Sequence, residues 1–237
     1  GNRNGFTKNA TIVHIDVDET ELGKNIDVSY EILGDLNEIM NEISTKLMAY
    51  KSPHTRSNDY LAKDYEGFHP KNILTVTQKS VPENTVVVTD VGQHQIWTAK
   101  FWKFSLPMKF ATSGGLGTMG FGMGAALGAK LGNPDSHVLL ITGDGSFRMN
   151  HPELLTLSRH NIPITILLFN NSSLGMVRQW QNLFCNSRYA QTDINDGLNL
   201  EFLSKAYGIN YYKASDLDTL ESILKVQDKS QINLIEC

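Results

Sequence analysis

Two apolar runs, each ending in a polar signature, constrain this chain more than any other feature. His137-Val138-Leu139-Leu140-Ile141-Thr142 breaks into Gly143-Asp144-Gly145-Ser146, and Ile164 to Phe169 ends in Asn170-Asn171. Short continuous apolar runs read as strands of a parallel sheet buried on both faces. Between them, Asn150-His151-Pro152-Glu153 supplies an N-cap residue, a first-turn proline and an acid at the capping-box position. A helix is therefore expected to begin near Asn150 and to continue through Leu154, Leu155 and Leu157. Strand, helix and strand form a right-handed crossover, and in an open α/β sheet ligands lie beyond the carboxyl ends of the strands. Asp144 and Asn171 are expected to face one ligand.

The rest of the pattern extends this to a doubly wound parallel sheet. Val86-Val87-Val88-Thr89 reads as a strand ending at Asp90, and Val91-Gly92-Gln93-His94 as a turn opening a helix through Phe101. There the backbone amides and the Gln93 and His94 side chains are placed to meet phosphate oxygens. Helices are expected over 117–131, 199–207 and 216–226, a closing strand over Ile232–Glu236, and an early strand over Thr11–Ile15. Gly115, Gly117 and Gly120 fit Gly-x-Gly-x-x-Gly, but Pro107–Thr112 is a poor first strand and no acid lies about 20 residues beyond. These glycines are read as close helix packing and close approach to a ligand. A net charge of −4 without a basic run argues against nucleic acid or a membrane surface as partner. No apolar stretch approaches the ~20 residues of a membrane span, and Cys185 and Cys237 make no disulfide framework.

The residue types at the strand ends suit magnesium. A carboxylate and an amide oxygen are hard donors, and this ion is usually held by one or two protein oxygens plus substrate phosphates. The separation of Asp144 from the Asn-Asn pair resembles the Gly-Asp-Gly…Asn-Asn signature of thiamine-diphosphate enzymes. Further stretches resemble the acetolactate synthase (acetohydroxyacid synthase) family of catalytic subunits: His14-Ile15-Asp16-Val17-Asp18, Gly34-Asp35, Asp90–Gln95, Thr112–Gly120, Gly143–Phe147 and Gly175-Met176-Val177-Arg178-Gln179-Trp180-Gln181. Departures are Gly124 where the family usually has proline, Pro152 where it often has glutamine, and Ser172-Ser173-Leu174 after Asn171.

The resemblance implies thiamine diphosphate, Mg2+ and FAD as cofactors. Val91, Gly92, Gln93, His94, Gly117, Met119, Gly145, Ser146, Gly175 and Met176 would hold thiamine diphosphate, with Met119 as an apolar wedge keeping it bent. Asp144, Asn171 and Ser173, the last through its backbone carbonyl, would hold the metal. Met176, Val177 and Trp180, spaced as one helical face, would line the substrate pocket, with Trp180 favouring the larger second substrate. Asp16 and Asp35 would meet the adenosine part of FAD. The implied reaction decarboxylates pyruvate, with the cofactor as electron sink, and joins the remainder to a second 2-oxo acid, pyruvate or 2-oxobutyrate. Its products, acetolactate or acetohydroxybutyrate, feed branched-chain amino-acid biosynthesis.

By the same resemblance, residues 1–45 end a middle domain, 46–68 form a polar linker and 69–237 form the diphosphate-binding domain of a longer, cytoplasmic protein. A homo-oligomer, dimer or tetramer, and a regulatory small subunit are implied as assembly partners. The family's catalytic glutamate lies in a pyrimidine domain of the neighbouring subunit, so the 237-residue chain alone is expected to be inactive. The alternatives are another thiamine-diphosphate-dependent 2-oxo-acid decarboxylase or carboligase, and a non-catalytic cofactor-binding module.

Overall fold

The computed structural model describes residues 9–48, 64–195 and 197–237, so most of the expected linker lies outside the described residues. The chain divides into two compact units, residues 1–57 and 58–237. In the first, strands β1 (Val13–Asp16) and β2 (Tyr30–Leu33) pair in parallel with Asp16 opposite Leu33. Helix α1 (Leu36–Leu47) follows, capped by Asp35, whose Oδ1 accepts from the N–H groups of Asn37 at 2.8 Å and Glu38 at 3.3 Å. The early strand thus begins two residues later than expected, and β2, half-exposed or exposed along its length, carried no apolar signal.

The second unit opens with α2 (Pro70–Ser80), started by a first-turn proline under the His69 cap. It continues with β3 (Val86–Thr89), α3 (Gln93–Phe101), β4 (Phe110–Thr112), α4 (Phe121–Gly132), β5 (Val138–Gly143), α5 (Asp144–Asn150) and α6 (Leu154–Arg159). Then come β6 (Thr165–Phe169), α7 (Gly175–Phe184), α8 (Leu200–Tyr207), β7 (Asn210–Lys213), α9 (Leu217–Val226) and β8 (Asn233–Glu236). The six strands form one parallel sheet in the order β4-β3-β5-β6-β8-β7. Strand alternation sends Val86, Val88, Leu140, Ile166, Leu168 and Leu234 to one face, against α4, α5, α6 and α8. It sends Val87, Leu139, Ile141, Leu167 and Ile235 to the other, against α2, α3 and α9. Covering both faces is what makes these strands apolar throughout. Truncating a fully buried Leu140 or Leu167 to alanine would cost about 2–5 kcal/mol.

Three expectations need correction. The helix after β5 begins at Asp144, not near Asn150. Gly143 is its N-cap, and the run bends through a 3₁₀ turn at His151–Glu153, where Pro152 has no N–H to donate. Asn150 does not cap; its amide donates to the carbonyl of Gly120 at 3.1 Å. Helix α4 starts at Phe121 rather than 117, because Gly117 and Gly120 both adopt positive φ, 71° and 88°. Gly120 packs closely, an added Cβ lying 3.2 Å from Met149 Cβ, whereas Gly115 has open space around it and no packing role. Finally, Phe110–Thr112 does form a strand, a three-residue edge beside β3.

Candidate functional site

The chain leaves β3 toward β4 on one side and returns through α4 to β5 on the other, so the strand order reverses between β3 and β5. A crevice opens at such a switch point, outside the carboxyl ends of the strands. Asp90 builds its inner wall. This buried carboxylate accepts from the N–H groups of Val91 (2.8 Å), Gly120 (2.9 Å) and Gly122 (3.2 Å), tying the turn after β3 to the start of α4. Burial raises its pKa, and the three backbone donors oppose the rise. Ser146 adds a second tie, donating from Oγ to the carbonyl of Val91 at 2.6 Å. Asp90 belongs to a contiguous motif in the sequence, but its structural role depends on partners 30 and 32 residues away.

His94 shows why two glycines sit here. A Cβ on Gly92 would lie 2.6 Å from its Cε1, and one on Gly143 would lie 2.8 Å from its Nδ1. Its ring thus lies against two backbone segments that have no side chain. Burial pushes its pKa down to about 4, so the imidazole is neutral, and among the described residues its buried Nε2 has no hydrogen-bond partner. Gln93 is engaged elsewhere: its amide donates to Gln179 at 2.9 Å across Gly175, where a Cβ would meet Gln93 Oε1 at 2.1 Å.

Asp144 lies at the first turn of α5, where a carboxylate is favoured by the exposed N–H groups. Burial raises its pKa, opposed by the N–H groups of Gly145, Asp144 and Ser172 and by the charge of Arg148. Its Oδ2 is buried without a hydrogen-bond partner among the described residues. Asn171, at the end of β6, uses Oδ1 to accept from the N–H of Ser173 at 3.0 Å, and Ser173 Oγ donates to the carbonyl of Thr192 at 2.9 Å. Ser172 between them has φ 53°.

One cavity gathers Val91, Gly92, Gln93, His94, Gly117, Met119, Asp144, Gly145, Ser146, Asn171, Ser173, Gly175, Met176 and Val177. It also takes in Gly143, part of the Gly-Asp-Gly signature, and three residues to which the sequence assigns no site role: Leu174, and Trp97 and Phe169, whose rings meet edge to face at 5.6 Å. Trp97 could have been found, since it lies one helical turn beyond Gln93. Trp180 does not line this cavity; it is 62% exposed on α7 and meets Phe184 edge to face. Asp16 and Asp35 belong to the first unit, each just after or at the end of a parallel strand. Oδ1 of Asp16 accepts from the N–H of Asp18 at 2.9 Å, and Asp35 is the α1 cap.

The donor set fits a magnesium–diphosphate group. An orphaned buried carboxylate oxygen and a side-chain amide are hard oxygen donors, and no group of three His, Cys, Asp or Glu side chains is poised for a metal among the described residues. An ion held here would need oxygens from the ligand, as magnesium with a diphosphate does. Gly92, Gly143, Gly145 and Gly175 let the side chains of His94, Leu174 and Gln93 pack directly against the backbone that lines the cavity, and Val91, Met119, Leu174, Met176 and Val177 give it an apolar side. No helix among the described residues is long and apolar enough to cross a membrane.

Residues 90–237 match the C-terminal TPP binding domain of thiamine pyrophosphate enzymes. Over 95% of its length the chain is 37% identical to the probable acetolactate synthase large subunit of Methanococcus aeolicus. It is also 37% identical to the acetolactate synthase large subunit of Lactococcus lactis over 97% of its length, and to acetolactate synthase isozyme 2 large subunit of Escherichia coli over 94%. The chain spans 42% of the length of each of these relatives. A cavity at the sheet's switch point, an orphaned acid at a helix start and this match agree: the chain belongs to the thiamine pyrophosphate enzymes, through their C-terminal TPP-binding domain.

Proposed function

We propose that this chain is the cofactor- and metal-binding part of an enzyme that joins decarboxylated pyruvate to a second 2-oxo acid, forming acetolactate or acetohydroxybutyrate. The observation that carries the reading is the buried, unpartnered Oδ2 of Asp144 in the same cavity as Asn171, Gly92 and Met176. Asp144, Asn171 and the carbonyl of Ser173 would hold Mg2+, and the first amides of α3 would bind the diphosphate. When bound, thiamine diphosphate supplies a carbon nucleophile and an electron sink for 2-oxo-acid decarboxylation.

The chain's own residues would orient and desolvate. Neutral His94 at the cavity wall accepts or donates one hydrogen bond without bringing a charge. Met119 lies against Gly145, its Cε 3.6 Å from the position of an added Cβ there, and supports an apolar cofactor ring. Met176 and Val177, which line the cavity, would exclude water from the bound cofactor, and Trp180, one turn further along α7, would contact the second substrate. Asp16 and Asp35, at adjacent strand ends, would take the adenosine part of FAD. The domain limits 1–45, 46–68 and 69–237, assembly as a dimer or tetramer with a regulatory small subunit, and a cytoplasmic location belong to the same reading.

Calorimetry tests it. Wild-type protein expressed from its complete reading frame should bind thiamine diphosphate in a Mg2+-dependent way, and Asp144→Ala should lose at least tenfold in affinity. An unchanged affinity would remove the metal assignment. The 237-residue chain alone should form no acetolactate from pyruvate, because the activating glutamate lies in a region of the family that it does not match; product formation by it would refute this part.

A further inference from the structure

We propose that Glu236 is a positioning residue for the metal-binding loop, acting through Asn170. The inference rests on the reading of Asp144, Asn171 and Ser173 as the metal site. Glu236 ends β8 and is 8% exposed, an unusual position for a carboxylate unless its oxygens are used. Both are used. Oε2 accepts from the hydroxyl of Tyr211, and Oε1 accepts from Nδ2 of Asn170 at 2.9 Å, with Lys213 Nζ 3.4 Å away.

The two oxygens do different things. The Tyr211 and Lys213 contacts lie within the sheet, since Lys213 is the register partner of Glu236 on β7. The Asn170 contact reaches across β6 to the loop. Leu168 is the register partner of Glu236 there, the N–H of Asn170 donates to the carbonyl of Cys237 at 2.8 Å, and the Asn170 side chain is the first beyond the strand. Asn170 then passes the restraint on. Held at Nδ2 by Glu236, it accepts at Oδ1 from the N–H of Ser172 at 3.2 Å.

Ser172 is the residue that needs holding. Its φ of 53° is left-handed, a conformation unfavourable for any residue but glycine. That turn sets where Asn171 and the carbonyl of Ser173 point. Without the carboxylate, Asn170 keeps its backbone bond to Cys237 and the Ser172 contact, but its side chain loses its anchor to β8, and the loop gains alternatives in which the donors no longer converge. Partners behind a ligating group typically contribute 10–100-fold to metal affinity.

The test measures apparent Mg2+ affinity by titration at saturating thiamine diphosphate, using protein from the complete reading frame. Glu236→Leu should weaken Mg2+ at least tenfold, and Glu236→Gln, which keeps an oxygen facing Asn170, should stay within about threefold of wild type. Tyr211→Phe removes the other contact and should lower thermal stability while leaving Mg2+ affinity within about threefold. In an Asn170→Ala background, Glu236→Leu should cost nothing further, because interactions that act through one another are not additive. Should Glu236→Leu fail to fold, Glu236→Asp, one methylene short of Asn170, takes its place with the same expectation. Wild-type Mg2+ affinity in that variant, equal weakening by Tyr211→Phe, or additive losses with Asn170→Ala would overturn the proposal. Asp144→Ala separates the two levels: if it too leaves Mg2+ binding intact, the site reading has failed rather than this inference.

Discussion

Replacing Gly143 by alanine should damage the site by sterics alone. Gly143 has φ −108° and ψ 160°, an extended backbone that any residue adopts, so the substitution carries no conformational strain. The added Cβ would lie 2.8 Å from His94 Nδ1 and 3.1 Å from its Cε1. Non-bonded carbon contacts are most favourable near 3.5–4.0 Å, so the ring must retreat by about half an ångström or more. His94 is 4% exposed and also lies against Gly92, so the retreat disturbs packed backbone rather than a free side-chain end. Overpacking of this kind costs about 1–3 kcal/mol. At about 2–4 °C per kcal/mol for a chain of this size, thermal unfolding without cofactor should fall by roughly 2–12 °C. Gly124→Ala provides the opposite sign, since nothing lies within 4 Å of its added Cβ in the interior of α4, and it should gain about 0.5–1 kcal/mol. His94→Ala should remove most of the Gly143→Ala penalty, because the clashing ring is gone. A Gly143→Ala protein that melts with the wild type, or one whose loss is equally large in the His94→Ala background, would refute the reasoning.

Stability should fall on mild acidification. His137, between Thr85 Oγ1 at 3.2 Å and Thr165 Oγ1 at 3.0 Å, has its pKa pushed down from 6.5 to about 4, by burial first and then by Lys229 and Lys130. The unfolded state therefore binds a proton that the folded state refuses, and stability is lost as pH falls from about 6.5 toward 4, by roughly 2 kcal/mol at pH 5 from this residue. His94 adds a loss of the same sign, whereas Asp90 and Asp144, raised by burial, regain stability as pH falls through their folded values. Urea midpoints at pH 7 and 5 should show a shallower decline in His137→Gln than in wild type; parallel slopes would dismiss the histidine. For Trp180→Leu, competition between acceptors should show the preference for 2-oxobutyrate over pyruvate lowered by about tenfold or more, the value of a methylene's apolar contact. Because the indole is 62% exposed, thermal stability should be unchanged; equal falls in both rates would instead mark it as a packing residue.

What the sequence made legible was whatever is carried by contiguous residues. The strands β3, β5 and β6 announce themselves as apolar runs, and their polar ends, Asp90 to His94, Gly143 to Ser146 and Asn170-Asn171, fall at the same edge of the sheet because parallel strands end together. The start of α5 is hidden in the sequence for a local reason. Asn150-His151-Pro152-Glu153 carries stronger start signals than Gly143, which caps with no side chain at all. Strand β7 is short and half-exposed at the sheet edge, so nothing in Asn210-Tyr211-Tyr212-Lys213 sets it apart. The helical spacing of Met176, Val177 and Trp180 is real, but periodicity tells which residues share a face and not which neighbours cover it. Two of the three line the cavity and the third stands outside it.

Side-chain bonding across long sequence separations was the part no motif could show, and it separates two carboxylates that look alike in the sequence. Asp90 and Asp144 both follow a buried strand, both precede a glycine by one or two positions, and both have their pKa raised by burial. Asp90 spends its oxygens on three backbone donors, from its own turn and from α4, so it fixes the shape of the crevice and has little left for a ligand. Asp144 keeps Oδ2 buried and without a partner among the described residues. Such an atom costs about 1–3 kcal/mol, more when it carries charge. A cation at Oδ2 reverses that cost and lowers the carboxyl pKa at the same time, whereas a cation at Asp90 would compete with hydrogen bonds already made. In the proposed reading, the free energy available to bind a metal is therefore concentrated at Asp144 rather than at Asp90.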